Sequence, residues 1–162
     1  MAETTKSKVK RAKAYLLRLE QCDARINAMQ DKLDSLYDQA TRITPTLKQD
    51  IVSGGGNHDK VGDTVAKIVD LRNEINRQID YYVDLQQEAN ELLNKLQDNV
   101  YHTILYRRYM LGDTFAQIAA EIGKGERWTN SLHGYALVAF ADLLAEKYTP
   151  EAGNAEKGQN GA

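Results

Sequence analysis

The sequence predicts an all-α protein in which a long antiparallel helical hairpin, built as a coiled coil, precedes a helix-turn-helix domain. Two long segments carry apolar residues at alternating steps of three and four, which is the spacing of a helical seam. A glycine-rich stretch separates these segments. A third segment has shorter periodic patterns divided by single glycines, and the whole chain contains only two prolines.

Composition narrows the functional classes. The 162 residues carry a formal net charge of -2, which argues against a globally basic nucleic-acid binder. The first twenty residues nevertheless hold six basic and two acidic residues, so residues 1–12 form a basic arm that could touch phosphate. The single cysteine, Cys22, excludes an internal disulfide. Without an apolar run of membrane length or a signal-peptide core, we expect a cytoplasmic protein with no membrane partner.

The first predicted helix begins in the basic arm and ends before Pro45, because proline lacks an amide donor and disfavours helical geometry in the residue before it. Its polar positions alternate with a narrow seam sustained over four heptads. The seam consists of Tyr15, Leu19, Cys22, Ile26, Met29, Leu33, Leu36, Ala40 and Ile43.

A polar loop is predicted at about 44–60, with Gly54–Gly56 at a flexible tip. Asp50, His58 and Asp59 lie in this loop, but no further ligands at metal-binding spacing accompany them, so we interpret them as loop residues. The second helix is predicted from about Asp63 to Asn99. Its stripe consists of Val65, Ile68, Leu71, Ile75, Ile79, Tyr82, Leu85, Ala89, Leu92, Leu96 and Val100.

Two long helices joined by a flexible loop predict an antiparallel hairpin over 13–99. The pairing is intramolecular in the simplest interpretation. A dimeric four-helix arrangement would bury more apolar surface, so we also expect a homo-oligomer.

The predicted helix-turn-helix domain spans 100–148. Val100, Ile104, Tyr109 and Leu111 are expected to line the inside of its first helix, which ends at Gly112. Thr114 and Gln117 fit a capping box that opens a short helix, and Gly123 closes that helix. The inner residues of the two following helices are predicted to be Phe115, Ile118, Ala119 and Ile122, then Leu132, Ala136, Leu137 and Phe140. Residues 149–162 lack an apolar anchor and predict a disordered tail.

The start of the last helix is the candidate DNA-binding surface, because in a helix-turn-helix this end of the second helix enters the major groove. The segment 99–148 is balanced at five basic and five acidic residues, so a dimer, a basic arm or another protein would have to support its affinity. Packing is the favoured role for Trp128, because a lone tryptophan is more often a partly buried packing residue than a DNA contact. Arg107 and Arg108 fit phosphate contact and pairing with acidic residues equally well. The candidate DNA-binding residues are Thr114, Lys124, Glu126, Arg127, Trp128, Asn130 and Ser131, with Arg107 and Arg108 as candidate phosphate contacts.

The stretch ILYRRYMLGDTFAQIAAEIGKGERWTNSLHGYALVAFADLL resembles the region-four helix-turn-helix of bacterial sigma factors. Together with the preceding segments, it is similar to a phage and prophage family of sigma-like proteins with an N-terminal helical hairpin. Phage late-gene transcription regulators are relatives of that family. The resemblance implies promoter binding inside a bacterial host cell and contact with host RNA polymerase. The residues that carry it are Arg108, Tyr109, Gly112, Ile118, Ala119, Ile122, Gly123, Ala136 and Leu137.

Two alternatives stay open at this point. A DNA-packaging protein similar to a small terminase subunit also joins a helix-turn-helix to a helical oligomerisation region. A structural coiled-coil interaction protein would need no DNA at all. We expect no catalytic activity, cofactor or metal, because SGGGNHDK lacks the spacing of a phosphate-binding loop and no nucleophile–base pair can be assembled.

Overall fold

The computed structural model describes the backbone at residues 2–50 and 57–149, and the side chains of those residues except 44–50, 57 and 58. These residues form helices and short connections, with no strand among them. No helix in this described part of the chain is both long and apolar enough to cross a membrane. The elements are α1 (Thr5–Asp50), α2 (Asn57–Asn94), α3 (Asn99–Leu105), a π-helical segment (Tyr106–Met110), α4 (Phe115–Ile122) and α5 (Glu126–Tyr148).

The first helix runs further than the sequence pattern predicted. Helix α1 continues through Pro45 to Asp50, so the expected stop before the proline is wrong. Proline removes one amide donor and costs about 3 kcal/mol in a helix interior, which a long helix can absorb without ending. The start of α2 at Asn57 likewise shortens the predicted loop at 44–60. The predicted glycine tip and the predicted tail at 150–162 lie outside the described residues.

A break separates α2 from α3 where a continuous helix to Asn99 was expected. Helix α2 ends at Asn94, and the Asp98 carboxylate accepts hydrogen bonds from the amides of Val100 and Tyr101 at 2.8 and 3.2 Å. This capping satisfies amides that a new helix would otherwise leave without partners. Asp98 therefore favours a fresh start over continuation of α2.

The described residues cluster into two units. One unit spans Arg18–Gln87, and the other combines the chain up to Leu17 with the chain from Glu88 onward. The first unit therefore contains most of α1 and α2, and the second contains the start of α1, the end of α2 and all later elements.

In the Arg18–Gln87 unit the predicted seams are the covered faces of the helices. The buried seam residues are Leu19, Ile26, Leu36, Ile68, Ile75 and Leu85, and the other seam positions of α1 from Cys22 to Ile43 are partly covered. One predicted position is wrong: Val65 is 48% exposed, and the neighbouring Thr64 is buried instead. The Thr64 hydroxyl donates to the Lys60 carbonyl at 2.8 Å, so this polar side chain enters the covered face with a partner.

Electrostatic neighbours link α1 and α2 inside this unit. Burial raises the pKa of the Tyr82 hydroxyl, and the charges of Asp23 and Cys22 raise it further. Arg25 of α1 contributes to the lowered pKa of Glu74 of α2, although the hydrogen bond from Arg77 is the larger cause. Residues 22–25 of α1 are thus neighbours of residues 74–82 of α2.

The second unit has its core around α5. Helices α3 and α4 both pack on α5 and also contact each other. The start of α1 contributes Ala12, Tyr15 and Leu16 to this core, and the Tyr15 ring lies 5.6 Å from the Phe140 ring between centroids. The other buried apolar residues are Ala89, Leu92, Leu93, Ile104, Leu105, Tyr109, Ile118, Ala119, Ala136, Leu137, Ala141 and Leu144.

The predicted basic arm is largely the first part of α1. Two of its cations have protein partners: Lys8 lies 2.7 Å from the Asp142 carboxylate, and Arg11 donates to the Ala141 carbonyl at 3.1 Å and to Glu3 at 2.7 Å. The arm therefore packs along α5 instead of projecting as an isolated positive segment.

Glu88 joins three helices of this unit. The Tyr15 hydroxyl donates to its Oε1 at 2.6 Å, the Tyr148 hydroxyl donates to the same oxygen, and Lys147 Nζ lies 3.3 Å from Oε2. Burial raises the pKa of the Glu88 carboxyl, but these three donors together outweigh burial and leave that pKa below its usual value.

Replacing Glu88 with Gln should lower the free energy of unfolding at pH 7 by about 1.5–3 kcal/mol, the range for hydrogen bonds to a charged group. Because the folded-state pKa is lowered, this contribution is present above the unfolded pKa of about 4.3 and is lost as pH falls through the folded value. Urea unfolding from pH 7 to pH 3 measures both effects. Glu146→Gln, an exposed change on α5, is the control, and equal profiles for the two variants would contradict the role of Glu88.

Candidate nucleic-acid interface

Helix α4 begins with the predicted capping box. The Thr114 hydroxyl accepts from the Gln117 amide at 3.2 Å, and the Gln117 side-chain oxygen accepts from the Thr114 amide at 2.8 Å. Thr114 is exposed, so this predicted contact residue lies at the surface with its hydroxyl already engaged as the cap. Ile118 and Ala119 are buried as expected, while Phe115 and Ile122 are only partly covered.

A three-residue turn at 123–125 connects α4 to α5. Gly123 adopts φ +68°, a left-handed conformation that residues other than glycine disfavour. The amide of the next residue, Lys124, donates to the Ala119 carbonyl at 3.0 Å. Gly125 is the extended residue before α5 and supplies no side-chain cap. Its carbonyl accepts from both the amide and the hydroxyl of Thr129, at 2.9 and 3.0 Å.

The inner stripe of α5 differs from the prediction in its first turns. Leu132 is only partly covered, and its neighbour His133 is 9% exposed and faces the core. Thr129 is also fully buried: its hydroxyl has a partner in the Gly125 carbonyl just before α5, and its methyl group can pack inward. Ala136, Leu137 and Phe140 are buried as predicted.

Opposite that stripe, the first turns of α5 are open to solvent. Lys124, Glu126, Arg127, Asn130 and Ser131 are all exposed. The last two side chains donate to carbonyls of their own helix: Asn130 Nδ2 to Glu126 at 3.1 Å and Ser131 Oγ to Arg127 at 3.3 Å. Both side chains are exposed, so water can satisfy them when these intrahelical hydrogen bonds break. Exchanging the bonds for hydrogen bonds to a ligand should therefore cost little free energy.

Trp128 does not fit the packing role favoured for it. Its side chain is 58% exposed on the outward face of α5. Tyr135, which was not among the candidates, is 63% exposed and lies seven residues later, two helical turns along the same face. Counting helical periodicity onward from Trp128 would have identified it.

The two predicted phosphate contacts are engaged inside the domain. Arg107 lies 3.0 Å from the Asp113 carboxylate and 3.1 Å from the Glu121 carboxylate. Arg108 donates to the Asp113 carbonyl at 3.1 Å, and its guanidinium lies 4.9 Å from the centre of the Phe115 ring. Phosphate contact and pairing with acidic residues were the two roles considered for these arginines. Arg107 is paired with acidic residues in the structure.

The π-helical segment explains why these arginines turn toward α4. The amide of Asp113 donates to the Arg107 carbonyl at 2.9 Å, and Gly112 between them adopts φ +75°. This wide turn brings Asp113 back beside the helix. Leu111, expected inside, is 55% exposed, and Val100 is 38% exposed, because Ile104, Leu105 and Tyr109 fill the inner face.

A buried polar pair lies behind the exposed face. Tyr109 Oη and His133 Nε2 are 2.9 Å apart, and the Phe115 ring meets the imidazole edge-on at 5.0 Å between centroids. Burial, together with the positive charges of Lys13 and Arg108, lowers the pKa of His133 to about 4. The imidazole is therefore neutral at pH 7 and serves the packing of the domain.

No group of three or more His, Cys, Asp and Glu side chains that could hold a metal occurs among the described residues. Asp50 and His58, two of the three loop residues considered for such a site, have side chains outside that part of the chain. No protein-family model matches the sequence, and no curated protein or solved structure is significantly similar to it.

The turn before α5 can be tested with two glycine substitutions. Neither Gly123 nor Gly134 has a heavy atom within 4 Å of where a Cβ would lie. The effects of substituting the two glycines should therefore differ only because their backbone conformations differ. Gly123→Ala should lower the free energy of unfolding by about 1–2 kcal/mol, the cost of a left-handed residue. Gly134→Ala, inside α5, should raise it by about 0.5–1 kcal/mol. Equal shifts in urea unfolding would rule out the left-handed turn.

His133 should make the domain sensitive to acid. Its folded pKa of about 4 lies below the unfolded value of about 6.5, so the unfolded state takes up a proton first as pH falls. Stability should be complete above pH 6.5 and should decline between that pH and 4, by at most about 1.4 kcal/mol per pH unit. His133→Gln, which keeps polar atoms for Tyr109 but does not titrate, should flatten this part of the urea-unfolding profile. Parallel profiles for the two proteins would contradict the assignment.

Proposed function

We propose that this chain binds double-stranded DNA in a sequence-directed manner through the exposed start of α5. The observation that carries the proposal is the division of α5 into two faces. Thr129 and His133 anchor one face in the core, while Arg127, Trp128 and Ser131 lie open on the other. A recognition helix needs this division, because its outer side chains must reach base edges while its inner ones keep it in place.

The exposed side chains suit the edges of base pairs. Arginine can donate two hydrogen bonds to guanine, asparagine pairs with adenine, and apolar atoms contact the thymine methyl group. Arg127, Asn130 and Trp128 provide these three chemistries within one turn of helix. Because Gly125 contributes no side-chain cap, the first amides of α5 are open to a phosphate oxygen.

Helices α4 and α5 act in this proposal as a helix-turn-helix carried by an antiparallel hairpin of α1 and α2. The hairpin is supported by the reversed order of neighbours: Asp23 lies near Tyr82, while Arg25, further along α1, lies near the earlier Glu74. The helix-turn-helix is supported by the short turn at 123–125 and the packing of α4 on α5.

The resemblance to phage and prophage sigma-like proteins gives the proposed setting. In that setting the chain is a transcription regulator that binds promoter DNA in the bacterial cytoplasm and contacts the host RNA polymerase. The charge balance of 99–148 fits a factor whose affinity depends on such a partner or on self-association. The pairing of Arg107 with two carboxylates also favours dependence on a partner, because the paired arginine is not available to bind DNA phosphate.

A second candidate function, docking of another protein on the same face, is favoured by its aromatic residues. Trp128 and Tyr135 are 58% and 63% exposed and lie on one side of α5. Exposed aromatic residues are common anchors of protein interfaces. The two functions predict different effects of the Arg127 variant.

Selection of duplexes from a random library by the full chain tests the proposal, with anisotropy titrations of an enriched duplex to follow. Arg127→Ala should weaken binding to that duplex by about tenfold or more, the range for one lost bidentate base contact. Arg25→Ala removes the same charge from an exposed position of α1 and should leave binding near the wild-type value.

Equal losses in the two variants would reduce the effect to general electrostatics. Failure to enrich any duplex, even at low salt, would remove the DNA-binding proposal and leave protein docking. In that case polymerase from the bacterial host should co-purify with the wild type and with Arg127→Ala, and should be lost in Trp128→Ala.

A further inference from the structure

Helix α2 carries a second apolar stripe outside its covered seam. Val65, Val69 and Val83 are 48%, 51% and 50% exposed, so three apolar side chains of this helix are open to solvent. They belong to a regular series with steps of four, three, four, three and four. We call this series the outer stripe, and it consists of Val65, Val69, Arg72, Asn76, Ile79 and Val83.

The outer stripe lies beside the seam and is distinct from it. Each residue of a helix is rotated by about 100° from the one before, so Val69 and Asn76 lie about a quarter turn from their buried neighbours Ile68 and Ile75. Ile79 is partly covered and is shared by the two stripes. In heptad terms, Val69, Asn76 and Val83 occupy a positions, and Val65, Arg72 and Ile79 occupy d positions.

We propose that the outer stripe is a homodimer interface in which α2 packs antiparallel against α2 of a second copy. In antiparallel helix pairs, a positions of one helix meet d positions of the other. Centring the pair between Arg72 and Asn76 places Val65 opposite the partner's Val83 and Val69 opposite the partner's Ile79. Arg72 then lies opposite the partner's Asn76. The two-fold symmetry generates a second copy of each of these three pairings.

The pattern identifies the partner as a second copy of this chain. A two-fold interface must be self-complementary, because the same patch forms both of its sides. The outer stripe meets this condition along its whole length: the apolar layers match apolar layers, and the two polar residues match each other. A different protein would impose no such symmetry on the sequence.

The polar centre also selects the orientation. A parallel pair would place Arg72 against the partner's Arg72, a like-charge contact that disfavours association. In the antiparallel pair, Arg72 can hydrogen-bond the partner's Asn76 and reach the partner's Asp80, which is exposed one turn further along. Polar residues at such positions specify register at some expense of affinity.

This interface requires no DNA, so its tests are independent of the proposed function. Sedimentation velocity of the full chain over a range of concentrations should show a monomer–dimer equilibrium. The double variant Val69→Asp/Val83→Asp should raise the dissociation constant by at least about tenfold, because each acid would lie in an apolar layer. Tyr81→Asp is the matched control, since Tyr81 is 47% exposed and lies on the opposite side of α2. It should leave the dimer intact.

Cysteine cross-linking tests the register. In a Cys22→Ala background, the double variant Val65→Cys/Val83→Cys should form disulfide-linked dimers when oxidised with copper phenanthroline. Each single variant should stay monomeric on a non-reducing gel. The two positions are about 27 Å apart within one α2, so a bridge between them joins two chains.

Each outcome bears on the proposal. A wild-type chain that stays monomeric at concentrations of about 100 μM, well above common interface affinities, would overturn it. A dimer that survives Val69→Asp/Val83→Asp with unchanged helix content would place the interface elsewhere, and cross-linking of either single variant would favour a parallel pair. Weakened association confined to the valine double variant, together with the Val65–Val83 cross-link, would establish the interface.

Discussion

The burial of one face of α5 is the interaction on which the C-terminal unit depends. Phe140 and Leu137 have almost no exposed surface, and α3, α4 and the start of α1 meet around that face. Truncating a buried Phe or Leu to Ala typically costs about 2–5 kcal/mol, a large share of the stability of a small domain. Because α5 packs through one face, the other face of its first turns stays open to solvent.

Polar residues are placed so that this core is not weakened. Thr129 and His133 are the buried polar residues of α5, and each has a hydrogen-bond partner. No buried side-chain nitrogen or oxygen among the described residues lacks a partner. An unpaired buried polar group costs roughly 1–3 kcal/mol, so this complete pairing allows polar side chains inside a small core. Arg107 and Arg108 are likewise paired with protein groups at the surface between the π-helical segment and α4.

The candidate site was partly predictable because helix ends have local chemical signatures. The Thr114–Gln117 capping box and the left-handed Gly123 depend on residues that are close in sequence, and the structure contains both. The exposure of Arg127, Asn130 and Ser131 followed from the helical period. Trp128 and Tyr135 were harder to place, because an aromatic side chain suits a core and an interface equally well. Only the position of the buried stripe decides which way each one points.

The sequence by itself determined the helical class, the heptad seams of α1 and α2 and the turn between α4 and α5. These features depend on local periodicity and on the conformational limits of a few residues. Tertiary structure alone decided that Thr64 is buried while Val65 is exposed, and that the basic residues Lys8 and Arg11 pair with α5. In each case the competing local choices differ by a few kcal/mol or less, so contacts from distant parts of the chain select between them.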